Sequence, residues 1–187
     1  MAERGPYAAR SGGDYAGMVI MGIDASTTST GWSVFRDKQL IDYGCIKPTG
    51  KDWRERLICQ EEYISAIVDK YSPDFVAMED VPLSSNSNKI LVILGAVQGF
   101  FYGIFAHYKI PVNFIIPSTW RSPIGLFSGD RAGTTRKEMK RKSIEKANEL
   151  FGLNLQWVSM NSSKNDDDIS DAILIGYYEV WRRIRNG

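Results

Sequence analysis

Residues 21–35 read MGIDASTTSTGWSVF, and the stretch is preceded by Met18, Val19 and Ile20. The apolar run Met18–Ile23 has the length and side chains of a buried strand, and it stops at a carboxylate, Asp24. Ala25 to Thr30 are small, mostly hydroxyl-bearing residues that close a turn with their own side chains. The apolar pattern then resumes over about 31–36 and again over about 40–47, with short turn-like gaps between. Three strands in succession joined by such gaps predict an antiparallel meander, with Asp24 at the end of its first strand.

Downstream, Asp52 with Glu55 forms a capping-box pattern ahead of Leu57, Ile64, Ile67 and Val68, which predicts a helix ending near Tyr71. A strand over 74–79 ends on Glu79. A polar loop around Ser84–Asn88 leads into an apolar helix at about 89–108, a fifth strand at 112–116 and a short helix or turn over 117–125. A glycine-containing loop, Ser128–Gly133, precedes a basic helix capped by Thr135 and Glu138 and running to about Phe151, and a last helix spans about 167–185. The order βββαβαβ followed by helices is that of an α/β, ribonuclease H-like fold, a five-stranded mixed sheet of three antiparallel strands and then crossover units, flanked by helices. In that order the ends of the first and fourth strands lie side by side, which brings Asp24 next to Glu79 with the final helix crossing nearby.

With 187 residues, 43% of them hydrophobic, the chain is expected to form one domain, 18–187, behind a flexible Gly- and Ala-rich tail, 1–17. The net charge of +1 excludes a global electrostatic argument for nucleic acid, so any such case rests on clustering. Arg131, Arg136, Lys137, Lys140, Arg141, Lys142 and Lys146 crowd one segment, and Arg182, Arg183 and Arg185 lie near the end. Two cysteines without metal-type spacing or a signal-peptide pattern point to reduced thiols and a cytoplasmic protein. Ile90–Tyr108 approaches the length of a membrane span, but Gly95, Gln98, Gly99 and Gly103 interrupt it and suit a closely packed helix better than lipid, so no membrane partner is expected.

Asp24 and Glu79 at strand ends, with Asp168 and Asp171 three apart on one helical face, form a set of hard oxygen donors suited to Mg2+, with Mn2+ as an alternative. Each has a plainer reading. An Asp before Ser and Thr is commonly a turn residue, and Glu79 competes with Asp80, which points to the opposite face of the strand. Two of Asp166, Asp167 and Asp168 suit the positive helix N-terminus. Asp171 sits beside the apolar residues Ala172, Ile173 and Ile175, where an unpaired carboxylate is costly unless it faces a cleft or a metal. The lone His107 is assigned no chemistry. Phe100, Phe101, Tyr102, Phe105 and Tyr108 are read as core and subunit interface. Trp120 and Arg121 are candidates for DNA contact, and so are Arg131, Arg136, Lys137, Lys140 and Arg141, because like charges every fourth residue destabilise a helix that has no phosphate partner.

The motifs MGIDASTTSTGWSVF, FVAMEDV, LGAVQGFFYGIFAHYKIPV and DDDISDAILIGYY, spread over about residues 19–185, together resemble RuvC-type Holliday junction resolvases, in a small form such as a bacteriophage would carry. The resemblance implies that Asp24, Glu79, Asp168 and Asp171 are the catalytic, metal-holding residues of a homodimeric endonuclease. Its expected substrates are four-way junctions and forks, cut through two metals to leave a 5′ phosphate and a 3′ hydroxyl. It also selects Glu79 over Asp80 and Asp168 among the three aspartates. Val81-Pro82-Leu83 departs from the family, whose cellular members place an aromatic wedge there. The alternatives are ribonuclease H-like cleavage of RNA–DNA hybrids and a non-catalytic junction-binding module. The Asp24 phrase also resembles the first phosphate loop of actin-like sugar kinases, but those need two such domains, for which 187 residues leave little room.

Overall fold

The computed structural model describes residues 17–81, 88–127, 135–160 and 162–186. Strands β1 (Val19–Asp24), β2 (Thr30–Arg36), β3 (Gln39–Ile46), β4 (Phe75–Glu79) and β5 (Val112–Ile115) form one sheet in the order β3-β2-β1-β4-β5. The first three strands pair antiparallel, whereas β1–β4 and β4–β5 are parallel, as the element order requires. Helices α1 (Trp53–Tyr71) and α2 (Asn88–His107) cover one face; α4 (Arg136–Phe151) and α5 (Asp167–Asn186) cover the other, and α3 (Pro117–Arg121) follows β5.

Helix ends follow their local chemistry. Asp52 caps α1 by accepting from the backbone N–H of Arg54 and Glu55. The Glu55 carboxylate reaches back one residue further than a capping box requires, to the Lys51 N–H at 2.8 Å. At α4 the box is complete between Thr135 and Glu138.

Strand alternation divides the core in two. Met21, Ile23, Val76 and Met78 pack with Ile64, Phe101 and Phe105 under α1 and α2, while Ile20, Phe35 and Ala77 pack with Ile144, Ile173 and Leu174 under α4 and α5. Helix α5 lies almost on the sheet backbone. A Cβ at Gly31 would stand 1.8 Å from the Asp168 carbonyl oxygen, and one at Gly22 would stand 2.3 Å from that of Ala172. Glycine at these two positions lets the helix come down far enough for Ser33 to donate to the Ala172 carbonyl at 2.8 Å.

Helix α2 is long and apolar enough to cross a membrane by length and composition. It instead presses one face on the sheet: of its residues Val97, Phe101, Ile104 and Phe105 are buried, while Ile90, Val92 and Tyr102 are exposed. His107 is exposed at its last turn and meets Tyr108 edge-on.

Candidate active site

Asp24 shares the α5-facing side of β1 with Ile20 and Gly22, and Glu79 shares that side of β4 with Ala77. Parallel pairing of Ile23 with Met78 sets the two carboxylates side by side at the carboxyl ends of adjacent strands. The choice between Glu79 and Asp80 is thereby made by the sheet: Asp80 turns to the opposite face, where Gln98 of α2 donates to it at 2.8 Å. A cavity of about 200 Å³ opens beside Asp24 and Glu79, walled by Met78, Leu94, Val97 and Gln98.

Helix α5 supplies the other two carboxylates. The three aspartates at its start divide their tasks. Asp166 accepts from the Gln156 backbone N–H at 2.8 Å, Asp167 is buried in an ion pair with Lys140, and Asp168 faces the turn between β1 and β2, where Ser29 hydrogen-bonds it. One turn on, Asp171 accepts a short hydrogen bond from Ser143 of α4.

Burial and crowding make these acids reluctant to ionise. Burial first, and then the charges of Glu79, Asp171 and Asp168, push Asp24 well above the usual carboxylate range. Glu79 is held at about 7, raised by burial and by Asp171 against the opposing pull of Arg121 and the Trp120 hydrogen bond. Burial likewise raises Asp168 and Asp171. Buried carboxylates that raise one another's pKa favour a cation nearby. The all-oxygen donor set suits a hard divalent metal. As the side chains stand, no three acidic, histidine or cysteine groups among the described residues are close enough together to hold an ion. The cation among them is the Arg121 guanidinium, 3.0 Å from Glu79 and 3.6 Å from Asp171.

Several residues read from sequence as DNA contacts lie elsewhere. Trp120 is fully buried and donates its indole N–H to Glu79 at 2.9 Å, so its ring is closed to DNA and supports a carboxylate instead. Arg121 points inward to the acids instead of out to solvent. Lys140 is paired with Asp167, and Arg141 with Glu145 at 2.9 Å, which offsets part of the charge on α4. Arg136 and Lys137 are exposed in its first turn. Arg131 and Pro82 fall outside the described residues. Sequence reading passed over Ser143, although a signal existed: it is a polar residue on the buried stripe of α4 with Ile144 and Ala147.

The family model for crossover junction endodeoxyribonuclease RuvC matches residues 20–126, more than half of the chain and including β1, β4 and α3. The chain belongs to the RuvC family. The RuvC of Chloroflexus aggregans is 30% identical over 169 residues, covering 88% of this chain and 93% of that protein. The RuvC of Nitratidesulfovibrio vulgaris is 27% identical over 146 residues, covering 76% and 82%. Among solved structures, Thermus thermophilus RuvC in complex with a Holliday junction superposes with a TM-score of 0.67 at 17% identity, covering 89% of this chain and 96% of that one. The Fowlpox virus resolvase with its junction DNA superposes at 0.52 and 19% identity, covering 88% and 98%. These neighbours share the ribonuclease H-like sheet, and the RuvC match makes the chain a crossover junction endodeoxyribonuclease.

Proposed function

We propose that this chain is a homodimeric, divalent-metal-dependent endonuclease that cuts four-way junctions, forks and other branched DNA in the cytoplasm of a cell or of a phage-infected host. The observation that carries the reading is the convergence of Asp24, Glu79, Asp168 and Asp171 from β1, β4 and α5 toward the carboxyl ends of the two central strands of a RuvC-family chain. Those four residues would hold Mg2+ or Mn2+. Bound metal supplies the Lewis acidity that activates water and stabilises the leaving 3′ oxygen, so that neither His107 nor a cysteine is needed as nucleophile. Ser143 and Trp120 keep Asp171 and Glu79 aimed, and the rigid seating of α5 on Gly22 and Gly31 keeps Asp168 and Asp171 level with the strand ends.

Arg136 and Lys137 at the exposed start of α4, with Arg141 beside them, offer the backbone contacts that hold DNA without reading sequence. The open face of α2, carrying Val92, Gly99 and Tyr102, is the surface on which two copies join, which places one active site on each of two opposed strands. The replacement of the aromatic wedge by Val81-Pro82-Leu83 fits a member, such as a phage could carry, that selects branch shape more than core sequence.

The test is incubation of the full chain with end-labelled four-way junction, fork, linear duplex and RNA–DNA hybrid in Mg2+. Paired incisions near the branch, leaving ligatable 5′-phosphate ends, are expected. Cleavage of the hybrid alone would make it a ribonuclease H, and tight junction binding without cleavage would make it a binding module.

A further inference from the structure

We infer that Arg121 is the resident counter-ion of the carboxylate centre, and that its guanidinium and the divalent metal exclude each other at Glu79 and Asp171. The inference rests on the metal-centre reading above and asks what the site does before metal arrives. One guanidinium nitrogen, Nη2, lies 3.0 and 3.4 Å from the two Glu79 oxygens and 3.6 Å from Asp171 Oδ2. It therefore spans a carboxylate on β4 and one on α5, two of the elements that supply acids to the proposed centre. Glu79 Oε2 also takes the Trp120 indole N–H, and the Arg121 guanidinium stacks on the Trp120 ring at 4.8 Å. Two consecutive residues of α3 thus engage both Glu79 oxygens from one side.

The arginine itself is incompletely satisfied. Its Nε is buried with no hydrogen-bond partner, so attraction to the acids holds it there, not a complete set of bonds. Such a contact is one that a stronger cation displaces. A metal at Glu79 and Asp171 would lie beside the guanidinium that now holds both, so the side chain has to move. The way out is open, since the Arg121 side chain is 22% exposed. The carboxylates need a cation for stability, and Arg121 supplies one at the cost of metal affinity.

The experiment titrates Mn2+ into the EDTA-treated full chain without DNA at pH 8, following free Mn2+ by electron paramagnetic resonance. It compares wild type, Arg121→Gln, Arg121→Lys and Asp24→Asn, each also melted with and without Mn2+. Arg121→Gln should bind Mn2+ at least about tenfold more tightly than wild type, because a like charge is removed from beside the ion. It should melt lower in EDTA and gain more from Mn2+. Adding Asp171→Asn should recover part of the loss in EDTA, since it relieves the exposed repulsion. Arg121→Lys keeps the charge without the fork and serves if the Gln variant does not fold: with its single hydrated ammonium it should bind Mn2+ more tightly than wild type. Equal or weaker Mn2+ binding by both Arg121 variants would overturn the inference while leaving the metal centre intact. Absence of Mn2+ binding in every variant at millimolar metal would overturn both the inference and the function on which it rests.

Discussion

Trp120 donates its indole N–H to Glu79 Oε2 at 2.9 Å from a position fully closed to solvent. A large ring after β5 is thus spent on holding one carboxylate of the site. Trp120→Phe should leave junction affinity unchanged within about twofold, since the ring touches no DNA, and should cost about 1–3 kcal/mol of stability through the lost bond and the void. Glu79 would lose a donor that favours its charged form, so the rise of cleavage with pH should move to higher pH. A large loss of junction affinity in a folded Trp120→Phe protein would return the ring to the DNA surface.

Glu79 also sets a pH dependence of stability. Its carboxyl is held at about 7 in the folded chain, above the ordinary value of 4.5. The folded state therefore binds the proton more tightly than the unfolded state, and this group's contribution is present below about 4.5 and lost as pH rises through about 7. In EDTA, the melting temperature of wild type should fall between pH 5 and pH 8 more steeply than that of Glu79→Gln. Divalent metal should remove the difference in slope. Parallel pH profiles for the two proteins in EDTA would contradict the assignment.

Asp24→Asn, Glu79→Gln and Asp171→Asn should each lower cleavage by about a hundredfold or more while junction binding persists or strengthens, because each removes a charged group on which the metal and the transition state depend. Asp168→Asn should be strongly impaired. Asp166→Asn should be mild, since Asp166 serves the Gln156 backbone and not the centre. Single-turnover rates on a labelled junction, with gel-shift affinities, separate the two effects. An essential Asp166 beside a dispensable Asp168 would shift the register of α5.

Ser143 reaches Asp171 from α4 and fixes the carboxylate that closes the site. Ser143→Ala should reduce the cleavage rate by about 10–100-fold, as removal of a group supporting a metal ligand does, with little change in junction binding. Ser143→Thr, which keeps the hydroxyl, should recover part of the rate. Equal rates for wild type and Ser143→Ala would make the contact dispensable.

Gly99 lies on the side of α2 turned away from the sheet, and a Cβ there meets nothing within 4 Å in the single chain. Gly99→Leu should therefore leave the fold intact and improve helix propensity, yet obstruct the approach of a second α2. Sedimentation at micromolar concentration should show wild type as a dimer and the variant shifted toward monomer. A monomeric wild type would exclude this face as the interface.

Much of the fold was legible because its signals are local. Alternating apolar runs, the Asp52 and Thr135 caps and the apolar stretch of α2 act within a few residues, and the structure places each element within about two residues of its expected bounds. Asp24 and Glu79 were legible as strand ends, and Asp168 with Asp171 as one helical face, since backbone geometry sets those relations. Strand periodicity distinguishes two faces of β4 without saying which one meets α5. The resemblance to RuvC-type resolvases chose Glu79, and the packing of Ala77 beneath that helix, with the turn of Asp80 toward Gln98, gives the physical reason. The burial of Trp120, the inward turn of Arg121 and the pairing of Lys140 with Asp167 were likewise decided by tertiary structure. Each depends on a partner at least 27 residues away in the chain, and the charge or ring of a side chain does not state whether solvent or a distant carboxylate will meet it.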